Sequence, residues 1–89
     1  MATITMSEAR AMYTAGNNAG RGYAPYADVP GDDTVAAAVT AAEADGWDVE
    51  LRAQSTDDVT VLRNADGERM AIGGDARGRN AWAVIISDA

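Results

Sequence analysis

At Gly46 the hydrophobic period of this chain changes, and that change restricts its folding more than any other feature. Before it, Val35, Val39 and Ala42 recur at helical spacing in a stretch otherwise made mostly of alanine, the best helix former. Asp32 or Asp33 suits the N-cap of that helix, and Gly46 sits where a glycine closes a helix C-terminus. After it, Trp47-Asp-Val-Glu-Leu-Arg-Ala-Gln54 alternates apolar and polar without a miss, the pattern of a half-buried strand. A helix of small side chains lies close on a sheet, so the chain is expected to combine both.

The flanking segments extend that picture. Ala2 to Met6 is rich in β-branched residues and reads as a short strand, and Ser7 to Ala15 reads as a helix ending near Gly16-Asn17-Asn18. Gly20 to Gly31 is the longest irregular stretch. Beyond the central strand, Ser55 to Asp58 makes a turn, and Val59 to Arg63 and Glu68 to Ile72 form a hairpin across Asn64-Ala65-Asp66-Gly67. Gly73 to Asn80 is a further turn, and Ala81 to Ser87 is the most apolar strand. As the exposed edge of a meander, that last strand invites aggregation. Pairing it with Ala2 to Met6 removes the hazard. The expectation is a single α+β domain over residues 1–89, with a mostly antiparallel sheet of four to five strands. The two chain ends are adjacent in it, and both helices lie on one face. A homodimer through the last strand is the competing solution.

Composition narrows the chemistry. The 89 residues contain no Phe, so two Trp and three Tyr supply all aromatic bulk, and much of the 47% apolar fraction is alanine. The absence of Cys and His removes disulfides, thiolate chemistry, His-dependent triads and nearly all zinc sites. No apolar run approaches the roughly 18 residues of a membrane span, and no basic region precedes an apolar one at the start. The expected location is the cytoplasm, that of the host cell if the protein is phage-encoded, with no membrane partner. No cofactor or metal is implied. Asn64-Ala-Asp-Gly-Glu68 partly matches a calcium loop, but Leu62 stands at the preceding ligand position and no glutamate follows six residues past the glycine.

The formal charge of −7, with seven Arg and no Lys, repels nucleic acid and attracts basic partners. Asp48, Glu50, Asp57 and Asp58 are the acids expected to cluster on one face. Arg77 and Arg79, in the glycine-rich loop Gly73 to Asn80, form a local positive spot suited to gripping a phosphate or carboxylate. Tyr13, Tyr23 and Tyr26, with Arg21 between them, form another candidate surface, since tyrosine and arginine are enriched in binding hot spots. Each feature also has a structural reading: acids as caps and turns, arginines offsetting Asp75, tyrosines covering a core edge.

The stretch Ala11 to Tyr26 resembles part of the ribosome modulation factor-like small proteins. That family is helical and basic, whereas this chain is acidic and mostly β-patterned after the stretch, so no function is carried over. The leading expectation is a non-enzymatic interaction protein docking on a basic protein partner. Its finer version is a phage or mobile-element inhibitor that mimics nucleic acid without binding it. The alternatives are a structural protein self-associating through its C-terminal strand and a small anion binder using the Arg77 and Arg79 loop.

Overall fold

The computed structural model describes residues 4–23, 26, 29, 31–55 and 58–86. Two helices, α1 (Met6–Asn18) and α2 (Val35–Ala44), precede four strands, β1 (Asp48–Leu51), β2 (Thr60–Arg63), β3 (Arg69–Gly73) and β4 (Trp82–Ile85). The strands pair antiparallel in the order β1-β2-β3-β4, an α+β fold.

Both helices are capped by threonine. Thr5 caps α1 in a capping box, with its hydroxyl accepting from the Glu8 N–H at 3.2 Å while the Glu8 carboxylate accepts from the Thr5 N–H at 3.0 Å. Thr34 caps α2, and Asp32, two residues earlier, accepts from the Thr34 N–H and hydroxyl. Residues Ile4 and Thr5 therefore lead into a helix rather than forming strand, while Ala2, Thr3 and Ser87 lie outside the described residues. The first and last described residues are adjacent, because Ile4 and Ile86 share one buried cluster.

The helices lie on opposite faces of the sheet, which corrects the expectation of a single helical face. Leu62, Met70, Ile72 and Ala83 pack with Ala38, Val39 and Ala42 of α2. Their strand neighbours Val61, Ala71 and Val84 pack with Ala9 and Tyr13 of α1. The physical reason is visible in the strands themselves. Val59-Thr-Val-Leu62, Met70-Ala-Ile72 and Ala81 to Ile86 are nearly continuous in apolar residues, as strands covered on both faces are.

β1 departs from its own alternation. Val49 pairs with Leu62 and Leu51 with Val61, so Glu50 is the extra residue of a β-bulge. The bulge sends Leu51 to the α1 side while Trp47 and Val49 remain on the α2 side. A charged, bulged, four-residue strand is a poor template for further pairing.

The outer edge of β4 is met by the chain itself. Gly22 bridges Val84, and the Tyr23 N–H donates to the Ala83 carbonyl at 2.6 Å. Residues 22 and 23 thus line the outer edge of β4 at Val84 and Ala83. A Cβ on Gly22 would overlap the indole of Trp82, so only glycine lets this segment approach. Gly16 acts likewise within α1, where any Cβ would overlap Val84; this is why a glycine sits inside the helix instead of ending it.

Gly22→Ala forces the segment off the strand or displaces Trp82. The expected cost is about 1–3 kcal/mol, the usual penalty of overpacking. It is measured as a lower urea midpoint with an unchanged slope.

Candidate functional site

The acids marked out by the sequence do not form one free face. The bulge aims Glu50 at Arg69, which grips it through two hydrogen bonds of 2.8 and 2.9 Å. Both side chains are largely shielded, at 12% exposure for Arg69 and 21% for Glu50. The guanidinium holds the Glu50 carboxyl below its ordinary value against the opposing effect of burial. Asp58 forms an ion pair with Arg10 of α1 and accepts from the Gln54 N–H at 3.3 Å. Asp48 is exposed at the start of β1, opposite Arg63. Asp58 lies at the other end of the sheet, in the β1–β2 connection, and Asp57 lies outside the described residues.

The loop between β3 and β4 is organised by Asp75. Its Oδ1 accepts from the Arg77 N–H at 2.8 Å and the Arg79 N–H at 3.0 Å, and its Oδ2 accepts from the Asn80 side-chain amide at 2.8 Å. These bonds lower its pKa, the backbone donors contributing most. The Arg77 and Arg79 amides are therefore already satisfied within the loop. Signals for this lay in the Asp-x-x-Gly spacing of an Asx turn. The two arginines also diverge. Arg79 donates to Asp33 at 3.1 Å in a cleft of about 530 Å³ with Asp32 and Thr34. Arg77 lines a separate cleft of about 460 Å³ with Val35, Ala53 and Asp58.

Tyr23 and Tyr26 belong to the α2-side core. Their rings stack with centroids 5.6 Å apart, and Tyr23 meets Trp47 edge-on at 6.2 Å. The Tyr26 hydroxyl donates to the Asp45 carboxylate at the end of α2. Burial, then that hydrogen bond, pushes its pKa up to about 12. The tyrosines close the edge of the α2-side core, with Tyr26 buried and Tyr23 half-exposed.

What the tertiary structure does bring together is a different set of acids. Asp48 pairs with Arg63, the last residue of β2, so the α2–β1 turn and the β2–β3 hairpin leave the same end of the sheet. Glu43, Asp45, Asp48, Asp66 and Glu68 occupy that end, all exposed. Asn64 shapes the hairpin: its Oδ1 accepts from the Asp66 and Glu68 N–H groups, and its amide donates to the Glu68 carboxylate at 2.8 Å. Among the described residues no group of three acids is arranged to hold a metal ion, and no helix is long and apolar enough to cross a membrane. No protein-family model matches the chain, and neither a curated protein nor a solved structure is detectably similar to it.

Two outcomes follow from these contacts. Glu50→Gln costs about 1.5–3 kcal/mol near neutral pH, the usual worth of a hydrogen bond to a charged group. A carboxyl whose folded pKa is depressed stabilises above its unfolded value, here 4.5, and that gain fades as the pH falls through the folded value. The gap between wild type and variant therefore closes in acid, read by urea unfolding at each pH. Asp75→Ala releases the amides of Arg77 and Arg79, and hydrogen exchange at those two positions accelerates while β3 and β4 stay protected.

Proposed function

We propose that this protein is a small acidic, non-enzymatic interaction protein that docks on a basic protein partner in the cytoplasm. It does so through the end of the sheet carrying Glu43, Asp45, Asp48, Asp66 and Glu68. The supporting observation is how the carboxylates divide. Glu50 and Asp58 are held by arginines, and Glu8, Asp32 and Asp75 serve caps and turns. At the hairpin end Glu43, Asp48 and Asp66 are exposed, and among the described residues their carboxylates take part in no ion pair or side-chain hydrogen bond. Negative potential concentrated there steers a basic surface and repels nucleic acid and anionic membrane.

The finer reading is an inhibitor, phage- or mobile-element-encoded, that occupies a nucleic-acid-binding surface by mimicking its charge. The reading through the C-terminal strand is less favoured, because residues 22 and 23 already occupy the outer edge of β4. The Arg77 and Arg79 reading is less favoured too, because the two side chains line separate clefts.

The test is capture from a lysate of the host on immobilised protein at low and high salt, beside the triple variant Glu43→Gln, Asp48→Asn, Asp66→Asn. A basic nucleic-acid-binding protein should bind at low salt and leave at high salt, since exposed pairs are screened. Three exposed pairs of roughly 0.5 kcal/mol each weaken binding roughly tenfold when neutralised. Undiminished capture by the triple variant sinks the proposal.

A further inference from the structure

Two Asp-Gly pairs occur in the chain, Asp45-Gly46 and Asp66-Gly67. Such a pair can rearrange without any catalyst. The glycine amide nitrogen attacks the aspartate Cγ, that nitrogen loses its proton, and the carboxyl oxygen leaves as water, closing a five-membered succinimide. Water then reopens the ring at either carbonyl. One route restores aspartate and the other passes the main chain through the side-chain carboxyl as isoaspartate. The water lost in closure is regained in opening, so no oxidant, reductant or co-reactant is needed. Glycine permits the reaction because no side chain shields its nitrogen.

From sequence the two pairs are equivalent; in the fold they are not. Their nucleophiles are matched. The Gly46 N–H donates to the Glu43 carbonyl and the Gly67 N–H to the Asn64 carbonyl, each at 3.1 Å. Both glycines have positive φ, 99° and 85°, and both aspartates are exposed. The electrophiles differ. The Asp45 carboxylate accepts from the Tyr26 hydroxyl, and Tyr26 is 3% exposed within the α2-side core, so the carboxylate is anchored to a rigid group. Among the described residues the Asp66 carboxylate makes no hydrogen bond or ion pair, and the backbone N–H of Asp66 is held by Asn64 Oδ1 at 3.0 Å. Asp45 also caps α2 with its own N–H, whereas Asp66 stands at a hairpin tip, where local opening is easiest.

We infer that Asp66 is a spontaneous isoaspartate-forming site and that the Tyr26 hydroxyl suppresses the same reaction at Asp45. Isoaspartate at position 66 lengthens the hairpin backbone by one methylene. It thereby displaces the Asp66 and Glu68 amides from Asn64 Oδ1, the group that shapes the turn.

The experiment ages the intact protein at physiological temperature in mildly acidic buffer and follows isoaspartate at each position by peptide mapping and mass spectrometry. A hydrogen bond to a charged group shifts a population by roughly tenfold or more, so position 66 should convert about tenfold faster than position 45. Tyr26→Phe keeps the ring and removes the donor; it should raise the rate at position 45 toward that at 66 and leave 66 unchanged. Chain held unfolded in urea is the reference, where both positions should convert at similar rates. Equal rates in the folded wild type, or conversion at neither position while the unfolded chain converts at both, overturn the inference. An unchanged rate at position 45 in folded Tyr26→Phe overturns the part assigned to the hydroxyl.

Discussion

Burial of both faces of the central strands is the constraint on which the rest of this structure depends. Val61, Leu62, Met70, Ala71 and Ile72 are all fully buried, and they point alternately to the two sides of β2 and β3. Fully burying a large aliphatic side chain contributes about 1.5–3 kcal/mol, against a net domain stability of about 5–15 kcal/mol. Neither face can therefore be left to water. One helix per face follows, and each sits close because the residues beneath it are small: Ala38 and Ala42 on α2, Ala9 and Gly16 on α1.

The same demand explains the long segment between the helices. With α1 on one face and α2 on the other, residues 22, 23 and 26, which lie between the helices in sequence, cover the β4 edge. They do so by bridging Val84 with Gly22, pressing against Trp82, and laying Tyr23 and Tyr26 over the opposite core. A single segment thus closes a sheet edge, supplies aromatic bulk to a chain without phenylalanine, and ties the end of α2 through Asp45.

Charge and acidic surface are separate quantities in this protein. Several carboxylates act as intramolecular acceptors where the backbone has unsatisfied donors: Glu8 at the start of α1, Asp32 before α2, Asp75 in the β3–β4 loop. Others neutralise arginines, as Glu50 and Asp58 do. The formal charge of −7 belongs to the whole chain, yet only part of it is presented without a local task. Adjacency in sequence did not identify that part, since Glu43, Asp48 and Asp66 come to one end of the sheet only when β1 pairs with β2 and the hairpin closes.

Local chemistry was therefore legible in the sequence: the alanine helix closed at Gly46, the hairpin around Asn64 to Gly67, the antiparallel α+β class, and a last strand that needed a covered edge. These rest on interactions within a few residues, where period, capping and turn chemistry act directly. Which face each helix takes, which segment covers β4, where the bulge falls and which acids stand together were decided by tertiary structure. The uninterrupted alternation from Trp47 to Gln54 shows why. Nothing in it marks Glu50 as the extra residue, because the bulge answers to Leu62 and Val61 on the neighbouring strand and to Arg69 beyond it. A pairing partner distant in sequence leaves no periodic trace in the segment it reshapes, so the sequence determined the elements and long-range packing determined their arrangement.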